Sequence, residues 1–310
     1  MKKSTPLPSG GLIHTYQRTL DKGVFLYRVQ DRLMLYTIMS VISRKHDVSV
    51  AAVSFMFNHI HSLQDAVSRL DSHRYLGEAM STFVKELNCD CGRSGPMFSP
   101  VDSAFKQSGK KARSAIAYLY NNSCEKKLCR RAVEDRWDFL AYYGNDHPFS
   151  EKLRKKESSR SMRKALLTVD IFHRKGRYLN LAALRRLFAG LDRKESEQLI
   201  DYIIVKYAFI DYSLTIRYYR DFDSMVTAID SNTGSEYDIK EEYDKSSDMP
   251  YVSMCRIAKR LGLLEQDMKL YSLGPMEKQT LAQNLAGCSG ASGYQVAKFL
   301  HIFTEEGRWR

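Results

Sequence analysis

Seven residues, Leu12-Ile13-His14-Thr15-Tyr16-Gln17-Arg18, alternate in polarity and are rich in β-formers, which predicts a strand. Asp31–Lys45 follows with Leu33, Tyr36, Thr37, Met39, Ser40 and Val41 at helical spacing. Val48–Phe55 is short and β-branched, a second strand, and Asn58–Leu63 is a third short segment. A helix is predicted from about Ser72 to Leu87, with Tyr75, Leu76, Ala79, Met80, Phe83 and Val84 on one face. Gly92–Pro96 is a turn, Met97–Phe105 has room for one more strand, and a further helix runs from Lys110 to about Tyr120. Strand, helix, strand, strand, helix, strand is the order of a ferredoxin-like antiparallel sheet with helices on one face. An α+β unit is therefore expected over residues 1–148.

The pattern changes after residue 150, where no strong strand signal remains. Residues 149–275 are expected to be helical, with a basic helical block at the start. That block holds Lys152, Arg154, Lys155, Lys156, Arg160, Arg163 and Lys164, opposed within it by Glu157 alone. Leu179–Leu191, Glu195–Tyr207, Asp221–Ser231 and Tyr251–Arg260 also read as helices, and the acidic stretch Asn232–Asp248 as a loop or exposed helix. In residues 276–310, Glu277–Leu285 and Tyr294–Phe303 flank a break at Gly287–Gly293. Two short helices across such a turn have the shape of a DNA-binding helix-turn-helix, or of a plain helical hairpin.

Charge narrows the choice of partner. Lys and Arg number 48 against 36 Asp and Glu, a formal net charge of +12 with a pI near 9.3. A polyanion is a plausible partner for such a surface. The 44% hydrophobic and 27% charged content is globular and argues against a disordered chain. No apolar run approaches the ~18 residues that a membrane helix needs. Met1-Lys2-Lys3-Ser4-Thr5-Pro6 has no apolar stretch behind it, so no secretory signal is read. The six cysteines are sparse, and Cys89-Asp90-Cys91 lacks a second matching pair, so reduced thiols of a cytoplasmic protein are expected. No Gly-x-x-x-x-Gly-Lys-Ser/Thr loop occurs, and no nucleotide cofactor is implied.

Candidate chemistry concentrates in two places. His59 and His61 lie two apart, so on a strand both imidazoles leave the same face while Ile60 enters the opposite one. Such a pair can bind one divalent cation, although two histidines at this spacing are more often plain surface residues. Tyr118 and Asn122, four apart, share one face of the predicted helix. Together they can offer a phenolate nucleophile and a neutral metal ligand or water-orienting amide; equally, Tyr118 can be core and Asn122 a helix C-cap. Tyr120 is a rival nucleophile. It lies about 200° round the helix from Tyr118, so both cannot face one ion.

Met56-Phe57-Asn58-His59-Ile60-His61 resembles the Met-Pro-Asn-His-hydrophobic-His signature of the HUH single-tyrosine transposases, in particular the REP-associated, insertion-sequence 200-like group. Three more segments resemble that family in the same order. His14-Thr15-Tyr16-Gln17-Arg18 is similar to its first strand, Gly92-Arg93-Ser94-Gly95 to its Gly-Arg-x-Gly turn, and Tyr118–Lys126 to its Tyr-hydrophobic-x-x-Asn-Pro-Val block. The resemblance covers roughly residues 10–145. Phe57 and Ser123 stand where the family has proline, which fixes φ near −65°.

The resemblance implies an HUH nuclease domain in which His59, His61 and Asn122 hold Mg²⁺ or Mn²⁺ and Tyr118 is the nucleophile. It implies single-stranded DNA cleaved at or near hairpins through a 5′-phosphotyrosine link, with later rejoining by a 3′-hydroxyl. Arg18, Arg93, Lys106, Lys110, Lys111 and Arg113 would contact that DNA. A bacterial protein at the nucleoid, monomeric or homodimeric, is the corresponding setting. A non-catalytic or host-adapted hairpin-DNA-binding module is the alternative, and a rolling-circle initiator or relaxase would share the two histidines.

Overall fold

The computed structural model describes residues 11–107, 109–231, 246–265 and 268–302. The N-terminal order is β1 (Leu12–Arg18), α1 (Val29–Ser43), β2 (Val48–Phe55), β3 (His59–Ala66), α2 (Arg69–Cys91) and β4 (Asp102–Lys106). The four strands form one antiparallel sheet in the order β2-β3-β1-β4. This is the α+β, ferredoxin-like arrangement that the alternation predicts. Helix α3 (Gly109–Glu125) follows β4.

Strand periodicity sorts the two faces of the sheet. Val50, Val53, Phe55 and Ile60 are buried with the apolar sides of α1 and α2. Leu12, Ala51, Ala52 and Leu63 are buried with Ala115, Ile116 and Leu119 of α3. The crossover helices therefore cover one face and α3 the other. A register shift between Val50 and Ala52 in β2 accommodates both sets.

Local chemistry sets where helices start and stop, and here the structure departs from the predicted bounds. Helix α2 begins earlier because the Ser68 side chain accepts the Asp71 N–H at 3.2 Å, and runs on until Gly92 turns left-handed at φ +63°. Helix α3 runs through Asn122 to Glu125 instead of ending near Tyr120. Its neighbour Asn121 donates a side-chain hydrogen bond to the Ile229 carbonyl at 2.5 Å, so neither asparagine caps the helix. The basic block is helical only from Arg160, where the Ser159 hydroxyl accepts the Met162 N–H; 152–159 precede the helix.

The rest is helical: α4 (Arg160–Arg174), α5 (Leu181–Phe188), α6 (Arg193–Lys206), α7 (Ser213–Ile216), α8 (Phe222–Ser231), α9 (Met249–Arg260), α10 (Pro275–Ser289) and α11 (Gly293–Leu300). Their apolar faces continue the core of α1 and α2: Leu166, Leu184, Ile203 and Met254 belong to the same buried cluster as Leu33 and Phe83. Tyr36 donates its hydroxyl to the Ile204 carbonyl, and the Leu179 N–H reaches Thr37 Oγ1. Among the described residues no helix is long and apolar enough to cross a membrane. Met1–Pro6, most of Asn232–Asp248 and Phe303 lie outside the described residues.

Helices α10 and α11 have helix-turn-helix spacing, with Gly290 at φ +68° between them. A reading helix must offer its side chains to a groove. Here Gln295–Leu300 are buried, and α11 docks on residues 21–27, where the Tyr27 hydroxyl meets the Phe299 carbonyl at 2.7 Å and the Val24 N–H meets that of Lys298. In this arrangement α11 is packed along Gln295–Leu300, while α10 keeps an exposed face.

Candidate active site

Register builds the site from two adjacent central strands. Tyr16 of β1 pairs with His61 of β3, and Arg18 with His59. Spacing of two puts His14 and Tyr16 on the face that carries His59 and His61. The rings confirm it: His59 and His61 are 4.9 Å apart between centroids, Tyr16 lies 5.4 Å from His59 and 4.9 Å from His61, and His14 lies 5.2 Å from His61. From the opposing helix α3, the Tyr118 ring comes within 5.4 Å of His61 and 6.0 Å of His14. Tyr118 retains 7% exposure. Tyr120 turns into the core beneath α3, where burial raises its hydroxyl well above the usual phenol range.

A hydrogen bond prepares the His59 imidazole for ligation through Nε2. His59 Nδ1 lies 2.7 Å from Asn58 Oδ1, and Asn58 Nδ2 donates in turn to the Lys22 carbonyl at 2.9 Å. An acceptor on Nδ1 fixes the proton there, as in many metal-bound histidines. His61 Nδ1 meets His14 Nε2 at 3.1 Å. Burial pushes the His59 imidazole down to about 3, and the charges of Lys126, Lys298 and Arg18 act in the same direction. His59 is thus the neutral base that a metal requires.

Asn122 lies one turn beyond Tyr118, and Lys126 one turn beyond Asn122. Since Tyr118 faces His61 and Lys126 acts on His59, Asn122 falls between them along the helix. It is 3% exposed, and its Nδ2 has no hydrogen-bond partner among the described residues. Two imidazoles and an amide fit a divalent ion. The described residues contain no group of three or more His, Cys, Asp and Glu side chains arranged to hold one. With no carboxylate in the donor set, an ion here would depend on substrate phosphate to complete its shell.

Backbone contacts take over the stiffening that proline would supply. The Phe57 carbonyl accepts the N–H groups of Phe25 at 2.9 Å and Leu26 at 3.3 Å, and the Met56 N–H closes the turn on the His59 carbonyl at 3.0 Å. Ser123 has the amide that proline lacks, which lets α3 continue, and its carbonyl accepts the Leu128 N–H at 2.9 Å.

The structure divides the six expected DNA contacts. Arg18 stands beside His59. Arg93 stacks over Tyr271 at 5.0 Å and donates to Asn88 Oδ1. Lys110, Lys111 and Arg113 are exposed at the start of α3, roughly 13–18 Å along the helix from Asn122. Arg113 Nε donates to the Tyr218 carbonyl. Lys106 departs from the exposed contact expected of it: it is 0% exposed, at the end of β4 opposite Leu12. The cations that do act on the site besides Arg18 are Lys126 and Lys298. Lys126, eight residues beyond Tyr118, was findable from helical spacing; Lys298 comes from α11, and nothing local announces it. His14 and Tyr16 were findable from the alternation of β1.

No protein-family model matches the chain, and no curated protein sequence does. A solved structure of a REP-associated tyrosine transposase bound to a REP hairpin is similar at a TM-score of 0.38 and 15% identity, over 46% of this chain and 85% of that one. At that score the likeness is too slight to bear on function.

Proposed function

We propose that the protein is a metal-dependent strand transferase that cleaves single-stranded DNA, at or near hairpins, through Tyr118. The observation that carries this reading is the convergence of the Tyr118 phenol with the His59 and His61 imidazoles across the sheet–α3 interface. Arg18, Lys126 and Lys298 add positive charge where a scissile phosphate would sit. A divalent ion, Mg²⁺ or Mn²⁺, held by His59, His61 and Asn122 would supply Lewis-acid polarisation of the phosphate oxygens. Tyr118 Oη, after losing its proton, attacks phosphorus; the P–O3′ bond breaks, and the 3′ oxygen leaves and takes up a proton. The phosphotyrosine keeps the ester energy, so a 3′-hydroxyl can reverse the step and no ATP is needed.

Incubation with a 5′-labelled and a 3′-labelled hairpin oligonucleotide plus Mn²⁺, followed by denaturing electrophoresis, tests this. Transfer of the 3′-labelled fragment onto protein, abolished in Tyr118→Phe, is the expected result. The burial of Tyr118 and Asn122 favours a second reading, a hairpin-binding module without chemistry. Tight binding with no adduct under any divalent ion would select it.

A further inference from the structure

Away from the histidines, a cavity of about 680 Å³ lies between the start of α1, the Phe55–Phe57 end of β2 and helices α5, α6 and α9. Leu181, Ile200, Val252 and Leu264 give it mainly apolar walls. One group in that wall is out of place. Arg32 is 8% exposed and sandwiched between the rings of Phe57 at 4.9 Å and Trp137 at 5.5 Å. Among the described residues no carboxylate lies within ion-pair distance of it, and its Nε has no hydrogen-bond partner. A buried, unpaired guanidinium is costly unless something completes it.

The other charges of the wall sort into paired and unpaired. Arg28 is held by Asp31 at 2.7 Å, Arg185 by Asp90 at 2.5 Å, and Glu197 by Arg136 at 2.7 Å. Asp135 accepts the Trp137 N–H at 3.0 Å; burial raises its carboxyl while the charge of Arg32, acting beyond ion-pair distance, works against that. At the rim, Arg256 and Lys259 are exposed on α9, opposed by exposed Glu265. The cavity is therefore apolar in its body, cationic at its depth through Arg32, and net cationic at its mouth.

We propose that this cavity binds one nucleotide, with the base directed at Arg32 and the phosphate at Arg256 and Lys259. A flat base suits apolar walls, and a guanidinium edge pairs with adjacent acceptors such as guanine O6 and N7. The requirement for a ligand with adjacent acceptors comes from Arg32, and that for an anionic group from Arg256 and Lys259; its assignment as a nucleotide rests on the DNA reading above. The source is either a free mononucleotide or one unpaired nucleotide of a strand.

Trp137 reports directly, because the only other tryptophan, Trp309, can be removed as Trp309→Phe. In that full-length background, quenching of Trp137 emission is titrated with dGMP, dCMP, inorganic phosphate and a single-stranded oligonucleotide. Saturable quenching by dGMP, stronger than by dCMP, identifies the free nucleotide. Quenching by the oligonucleotide alone identifies the strand. In either case Arg32→Gln is expected to weaken binding roughly tenfold or more, and its melting temperature should not fall, since an uncompensated buried charge is removed. The exposed pair Arg256→Glu and Lys259→Glu should weaken binding with the fold untouched. No saturable signal from any nucleotide, equal competition by inorganic phosphate, or affinity indifferent to Arg32 would overturn the proposal. None of these readouts uses the Tyr118 adduct, so failure of strand transfer and failure of this site are told apart.

Discussion

At the scale of single residues, Asn58 is the most informative test of the candidate centre, because it touches no reacting atom. Its Oδ1 holds His59 Nδ1 at 2.7 Å and its Nδ2 is tied to the Lys22 carbonyl. Asn58→Ala should leave the fold intact but raise the Mn²⁺ concentration needed for half-maximal adduct by about 10–100-fold, the usual cost of losing the partner of a metal-bound histidine. An unchanged metal requirement would remove His59 from the ligand set. The donor set also ranks the ions: two imidazoles and one amide suit Mn²⁺ better than Mg²⁺, which prefers an all-oxygen shell. Adduct formation should therefore be abolished by EDTA and restored at lower Mn²⁺ than Mg²⁺; equal potency would argue for oxygen ligands. Tyr120 gives the matching negative control. Its hydroxyl is fully buried with no hydrogen-bond partner among the described residues. Tyr120→Phe should keep full adduct yield and gain up to about 1 kcal/mol in denaturant unfolding, whereas Tyr118→Phe loses the adduct.

At the scale of elements, what was legible in the chain was whatever periodicity controls locally. The alternation of β1 and the β-branched run of β2 predict their bounds as observed, and a strand's period of two puts His59 and His61 side by side. What was not legible depends on distant partners. Helix α3 outruns its predicted end because Asn121 finds the Ile229 carbonyl more than one hundred residues away. Lys106 reads as a surface cation and is buried, and Lys298 reads as part of a DNA-reading helix yet acts on His59. The docking of α11 is such a distant contact, and it carries a pH signature. His301, just past α11, meets Asp21 at 2.6 Å. Burial pushes the Asp21 carboxyl up, but the hydrogen bond and charge of His301, with the backbone N–H groups of Gly23 and Asp21, outweigh it and hold the group below its ordinary value of 3.8. A depressed carboxyl stabilises the fold above its unfolded pKa and loses that stabilisation as pH falls through the folded one. Asp21→Asn should therefore cost about 1–2 kcal/mol near neutral pH, and the difference from the parent should shrink below about pH 4 and vanish once the pH lies below the folded value. A difference independent of pH in denaturant melts would mean that packing, and not charge, matters there.

At the scale of the whole molecule, the C-terminal helices are connected to the candidate centre by an unbroken set of polar contacts. His301 holds Asp21; Asp21 Oδ1 accepts the Gly23 N–H at 2.9 Å; the intervening Lys22 offers its carbonyl to Asn58; and Asn58 orients His59. Lys22 and His301 both adopt left-handed backbone, at φ +57° and +51°. That conformation is disfavoured for side-chain-bearing residues and persists where surrounding contacts over-determine it. Lys298, on the same helix, contributes charge at His59. Helix α11 therefore acts on the site twice, by bracing the turn that presents His59 and by adding a cation for the phosphate. A chain stopped after Ser292 tests this: it forfeits Val296, Phe299 and Leu300, which share the core of α1, α2 and α4–α6, and leaves the remainder of that core in place. Its cooperative unfolding transition should survive, while adduct yield at fixed Mn²⁺ falls at least about tenfold and hairpin binding becomes less sensitive to salt as one phosphate-facing charge is lost. Restoring α11 with Lys298→Gln should recover the metal requirement but not the salt slope. If the shortened chain instead cleaves DNA as the parent does, the polar path from His301 to His59 has no part in positioning the histidine.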